Sequence, residues 1–144
     1  MQATIIEPNA QSGLSESGIP PVPAVGVVCR RGDDVLLIKR GRAPRQGEWS
    51  IPGGKVHRGE TLHAAALREL LEETGVTAVI SRLLDVYEII DNEFHYVLID
   101  YVAEWISSEP VAGDDADDAR FMTYKEAMAA VTRDDLRDAL ERSL

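Results

Sequence analysis

Apolar and polar positions alternate between three kinds of run along the chain. The stretches "VPAVGVVCRR" and "DVLLIKR" are rich in β-branched residues and are joined by Gly32-Asp33, which predicts two strands and a turn. "GRAPRQGEWSIPGG" breaks the pattern with glycines and prolines and predicts a loop around a short strand at 49–51. "TLHAAALRELLEET" consists of good helix formers, with Thr61 placed as N-cap and Gly75 as C-cap. "VTAVISRLLDVYEII" and "FHYVLIDYVAEWI" return to β-rich composition, separated by the turn residues Asp91-Asn92-Glu93. After them come an acidic loop, "SSEPVAGDDADDA", a short strand, "RFMTY", and two C-terminal helical stretches, "KEAMAAV" and "DDLRDALERSL". The predicted order is β-β-β-α-β-β-β-α, an α/β chain with a mixed sheet and helices packed on it. Residues 1–20 are rich in Ser, Gly, Pro and Asn with weak periodicity, which predicts a flexible tail before a single domain over 21–144.

Composition changes this picture only where charge is concerned. The chain has 144 residues, 44% hydrophobic and 28% charged, which is ordinary for a globular domain. No apolar run approaches a membrane span, and the first residues lack the basic start and apolar stretch of a signal peptide. Cys29 is the sole cysteine, so no intrachain disulfide can form; the expected compartment is the reducing cytoplasm and the expected role a buried thiol. A net charge of −10 opposes nucleic acid or an anionic membrane as partner. It leaves room for a small phosphorylated ligand met by local cations or a metal ion.

That charge is unevenly spread, for Glu69, Glu72 and Glu73 fall within five positions of the predicted helix. At about 100° per residue from Leu62, Leu67, Leu70, Leu71 and Thr74 occupy roughly 80° to 180°, and the three glutamates roughly 280° to 20°. The wheel therefore predicts an apolar side and, nearly opposite, a carboxylate side whose neighbours are Ala65, Ala66 and Leu62 rather than lysines. Like charges at i, i+3 and i+4 repel. Two readings fit: a solvated acidic stripe, or a site where a hard divalent cation is held by carboxylate oxygens.

Gly54, five residues, Glu60, seven residues, and then Arg68-Glu69-Leu70-Leu71-Glu72-Glu73-Thr74-Gly75-Val76 matches the Nudix box at every specified position. From about Val22 to Met128 the chain resembles the bacterial ADP-ribose pyrophosphatase-like branch of that family, with "GEWSIPGGKV", "FHYVLIDY" and "EPVAGDDADDARF" as supporting stretches. The resemblance implies a Nudix-type α/β/α sandwich and hydrolysis of a nucleoside diphosphate linked to another moiety, aided by Mg²⁺ or Mn²⁺. ADP-ribose, cleaved to AMP and ribose 5-phosphate, is the first expectation and a nucleoside triphosphate the second. A non-catalytic nucleotide sensor is the rival from another class, and a homodimer is a family-level expectation. One departure bears on the substrate: some ADP-ribose-cleaving members carry a proline about fifteen residues past the box, and this chain has none between Val76 and Glu109.

By the same resemblance, Glu69, Glu72 and Glu73 hold metal, and the carbonyl of Gly53 is the expected backbone ligand. Glycine at 53 and 54 permits a tight loop and close approach of a phosphate. Arg68 has two readings, binding substrate phosphate or orienting the neighbouring carboxylates; its place at the edge of the acidic arc favours orientation. Glu60 either stabilises the helix N-terminus or joins the metal site. A further acid is expected from the loop Asp114, Asp115, Asp117, Asp118, with Asp115 and Asp118 as candidates and Glu93 a weaker one. Arg40, Arg42 and Arg45 surround the loop leading into the box and are the best local cations for substrate phosphate. Trp49, Tyr96 and His63 are expected to pack rather than to bind.

Overall fold

The computed structural model describes residues 19–144; the expected tail lies outside the described residues except at its last positions. In chain order the elements are strands β1 (Val22–Arg31), β2 (Asp34–Arg40), β3 (Trp49–Ser50) and β4 (Gly53–Lys55), helix α1 (Leu62–Thr74), strands β5 (Thr77–Ile90), β6 (His95–Ser107) and β7 (Ala116–Thr123), and helices α2 (Tyr124–Ala130) and α3 (Asp134–Arg142). They form one seven-stranded mixed sheet ordered β3-β2-β1-β6-β5, with β4 paired to β1 and β7 to β2. β1 and β6 run parallel, from Val22 opposite Tyr96 to Arg30 opposite Glu104, and the other pairings are antiparallel.

The unbroken apolar runs of β1 and β2 follow from burial on both faces. Val25, Val27, Cys29 and Leu36 pack with Ala65, Ala66 and Leu70 of α1. Their sequence neighbours Val28, Val35 and Leu37 point the other way, onto Ala127, Leu136, Ala139 and Leu140 of α2 and α3. The result is the expected α/β/α sandwich. Leu36 and Leu37 are both fully buried, one in each half of the core. Truncating either to alanine removes about 2–5 kcal/mol from stability. No helix among the described residues is long and apolar enough to cross a membrane.

Three features differ from the sequence reading. Gly53–Lys55 is a strand although glycine is a poor strand former. It forms because its backbone pairs with β1, Gly26 opposite Gly53 and Ala24 opposite Lys55, and a Cβ at Gly53 would run into the Val25 carbonyl. The last strand begins at Ala116, so Asp117 and Asp118 belong to β7 rather than to a loop. Helix α1 is also turned relative to its wheel. Glu69 and Glu73 are buried with Ala65, Ala66, Leu70 and Thr74, whereas Leu62, Leu67 and Leu71 are exposed. The small alanines let the helix approach the sheet closely, and this brings the two glutamates inward.

The topology opens the molecule at one place. The C-terminal end of β1 pairs with β2 and its N-terminal half with β4. Where β2 and β4 diverge lies a cleft of about 430 Å³, bordered by Ile38, Ser50 and the Gly53–Gly54 backbone. This is within the usual size for small-molecule sites.

Candidate active site

The inner end of the cleft is built on α1. Thr61 caps the helix start, accepting a hydrogen bond from Ala64 N at 3.1 Å. Gly75, at φ 71°, ends it with its N–H donated to Leu71 O. Between these caps, Glu73 Oε1 accepts a hydrogen bond of 2.7 Å from Gly53 N, joining α1 to β4. The carboxylate of Glu69 lies against Gly54, where a Cβ would stand 2.5–2.7 Å from the carboxyl atoms. Glycine at 54 is therefore required for the carboxylate to approach the backbone.

Arg68 organises the rim. Its Nε and Nη2 donate to the two oxygens of Glu60 at 2.9 and 2.6 Å, a fork on one carboxylate. Nη1 donates to Glu69 at 2.6 Å and to Glu72 at 3.3 Å, and Nη2 also reaches the Lys55 carbonyl at 3.0 Å. Glu60 additionally accepts from His57 N at 2.8 Å. These bonds from Arg68 and His57 hold the Glu60 carboxyl at about 2.

A loop distant in sequence completes this end. Val111 N donates to Thr74 O at 2.9 Å and Gly113 N to Glu73 O at 3.0 Å, strapping the loop to the last turn of α1. Gly41 N donates to Asp115 O at 2.8 Å from the other side. Asp114, held at φ 50°, lines the cleft with Glu69 and Glu73. Burial pushes the Glu73 carboxyl up to about 8; the Gly53 hydrogen bond opposes this, and the charges of Glu69 and Asp114 add to it. Burial also raises Glu69, against the pull of Arg68. Acids gathered in this way resist ionisation together unless positive charge is supplied.

The matching family model is the NUDIX domain, over residues 20–142. The chain belongs to the Nudix family. It is similar to an ADP-ribose pyrophosphatase of Methanocaldococcus jannaschii, 39% identical over 103 residues, spanning 70% of this chain and 61% of that protein. A putative 8-oxo-dGTP diphosphatase of Bacillus subtilis is 42% identical over 62 residues, 43% of this chain and 40% of that one. The chain thus spans about half the length of these curated relatives. Among solved structures, a MutT NUDIX hydrolase from Burkholderia pseudomallei superposes with a TM-score of 0.76 at 32% identity, over 88% of this chain and all of that one.

Nudix hydrolases generally need divalent metal ions. The buried, mutually repelling oxygens of Glu69 and Glu73 beside Asp114 fit such an ion. Among the described residues, however, no three His, Cys, Asp or Glu side chains converge as a cage. Glu72 in particular leans outward: its side chain is 44% exposed and tied to Arg68. An ion here would have to complete its shell with water or phosphate oxygens, as Mg²⁺ commonly does.

The remaining expected residues divide by position. Arg40, Arg42 and Arg45 all line the cleft with Gly53 and Gly54. Arg40 donates to the Pro44 carbonyl at 2.8 Å, Arg42 pairs with Asp115, and Arg45 stands 3.8 Å from Glu48. Asp118 is a correction: it lies on β7 opposite Lys39, paired to Arg120, and does not line the cleft. In-register pairing with β2 draws this stretch into the sheet, and the acid that faces the glutamates is Asp114. Glu93 sits in a turn closed by the Asp91 side chain, also away from the cleft. His63 packs edge-on against Tyr101 at 4.8 Å. Tyr96 does line the cleft, stacked on Phe94 with ring centres 5.5 Å apart. Sequence reasoning missed Asp100, on the floor of the same cleft. It reads as one more polar position in a strand, and the signal that points to it is Gly26 directly opposite.

Proposed function

We propose that this protein hydrolyses the diphosphate bridge of a nucleoside diphosphate linked to another moiety, with ADP-ribose, yielding AMP and ribose 5-phosphate, as the leading substrate. The observation that carries this reading is the gathering, in one cleft, of the buried carboxylates of Glu69, held by Arg68, and Glu73 with the cations Arg40, Arg42 and Arg45. A divalent ion bound at Glu69 and Glu73 would neutralise bridging phosphate charge and make water a better nucleophile at neutral pH.

The chain's own residues divide the remaining work. Arg40, Arg42 and Arg45 bind and orient the diphosphate oxygens. Arg68 holds Glu69 and Glu72 in place through its links to Glu60 and Lys55. Asp114 is the loop acid, positioned to accept a proton from an attacking water. The similarity to the Methanocaldococcus protein supports ADP-ribose, and similarity to the Bacillus protein supports a nucleoside triphosphate as the second reading.

The test is turnover of ADP-ribose and of nucleoside triphosphates with Mg²⁺ or Mn²⁺, with the products identified. AMP and ribose 5-phosphate from ADP-ribose at the higher kcat/KM is the expected result. Pyrophosphate released from a triphosphate as the dominant activity would replace it with the second reading.

A further inference from the structure

The same cleft holds a further buried acid outside the Nudix box. Asp100 lies at the middle of β6, directly opposite Gly26 of β1. It is 2% exposed and lines the cleft, yet it accepts no hydrogen bond from any described residue. A Cβ at Gly26 would collide with its carboxyl oxygen, so the glycine makes the space the side chain occupies. The charged groups facing it are Arg133 just ahead of α3, Asp135 in the first turn of α3, and Asp85 of β5. Arg133 is already committed, donating to both oxygens of Asp135 at 2.9 and 2.6 Å. The same cleft is lined by Leu98 and Leu136 and, toward the start of β6, by the Phe94–Tyr96 stack and Ile89 opposite Tyr96. An aromatic and aliphatic surface and a carboxyl without a donor in one cleft are what a nucleobase requires: stacking supplies affinity, and one edge contact supplies selectivity.

We propose that Asp100 is the base-reading residue of this cleft, accepting a hydrogen bond from the exocyclic amino group of a nucleobase whose edge pairs one donor with one acceptor. Adenine and cytosine share that edge. Burial raises the Asp100 carboxyl to about 7, and in its protonated form the carboxyl presents one donor and one acceptor, which complements N6–H and N1 of adenine. Guanine presents two adjacent donors and would call for an ionised carboxylate, the form that burial disfavours. The assignment deepens the nucleotide reading above and rests on it for the orientation of the ligand, base toward β6 and phosphates toward α1.

Equilibrium binding to the intact protein separates the possibilities. AMP is compared with purine riboside 5′-monophosphate, which lacks only the amino group, and with CMP and GMP. The wild type is expected to bind AMP at least about tenfold more tightly than the amino-free analogue, the cost of leaving a buried acceptor unpaired. Asp100→Asn keeps a carbonyl oxygen and an N–H in nearly the same shape and should keep that ratio. Asp100→Leu should bring the ratio to about one, AMP losing affinity while the analogue changes little. Tighter CMP than AMP would assign the edge to cytosine. A wild-type ratio near one, no binding of either purine, persistence of the ratio in Asp100→Leu, loss of the ratio in folded Asp100→Asn, or preference for GMP would each overturn the assignment. Failure of the wild type to hydrolyse ADP-ribose, with the AMP ratio intact, would remove the ADP-ribose reading and leave the base assignment standing.

Discussion

Glu73 and Asp100 are two buried acids in one cleft, and burial pushes both upward, to about 8 and about 7. Their surroundings differ. Glu73 is fixed by Gly53 N and faces the like charges of Glu69 and Asp114. Asp100 has no described hydrogen-bond donor, and its charged neighbours partly offset one another, Asp135 and Asp85 against Arg133. The same desolvation penalty therefore leads to different chemistry. Fixed, clustered carboxylates create a demand for a cation. A single carboxyl without a donor, among charges that partly offset one another, is suited to a neutral hydrogen-bonding edge.

The largest expected effect is on turnover. Glu73→Gln can still accept the Gly53 hydrogen bond, so the fold should persist, but kcat should fall at least about a hundredfold because a charge that helps bind the cation is gone. A folded variant with near-normal turnover would show that clustering at this end is incidental. Next in size is Arg68→Lys. An ammonium cannot reproduce a fork on Glu60 together with contacts to Glu69 and Glu72, so a loss of roughly 10–100-fold in activity is expected. Retention of activity in this variant would mean that orientation by Arg68 is dispensable.

Thermal stability sharpens the contrast further. Saturating Mg²⁺ or Mn²⁺ should raise Tm by roughly 5–10 °C, from about 2.7 kcal/mol at a hundred times Kd and roughly 2–4 °C per kcal/mol. Sodium chloride at matched ionic strength should not reproduce the shift. The Glu69→Gln, Glu73→Gln double variant should lose most of the response; if it keeps the full shift, the ion binds elsewhere. The last effect is a pH slope at the other acid. An aspartate titrates near 3.9 in the unfolded chain and Asp100 near 7 in the folded one. Between these values the folded protein holds a proton the unfolded chain has released, so Asp100 favours folding less as pH rises. In EDTA, Asp100→Asn should therefore gain Tm relative to wild type from pH 5 to pH 8. A constant difference would place Asp100 in solvent.

Legibility in the sequence followed the range of the interactions involved. β1, β2, α1 and its caps were legible because periodicity, helix propensity and capping act over a few residues. β4 was not, because Gly53–Lys55 is a strand only through its pairing with β1. The box spacing marked Glu69 and Glu73, but the wheel placed them opposite the leucines without revealing that the alanine side packs inward. Asp118 and Asp114 were indistinguishable in an acidic run. The pairing of β7 with β2 and the backbone strap onto Thr74 and Glu73 separate them, and both are long-range contacts. Asp100 had no local signature, since its isolation depends on Gly26 across the sheet and on α3 packing over it.

The Gly53–Gly54 pair sets a limit on how this protein can diversify under selection. Any missense change at a glycine codon introduces at least a Cβ. At 53 that atom meets the Val25 carbonyl, and at 54 the Glu69 carboxyl group. The rim is under no such restriction, for the Arg42 and Arg45 side chains are 68% and 45% exposed. Drift can therefore sample new side chains along the rim of the cleft, while its backbone at Gly53–Gly54 stays fixed.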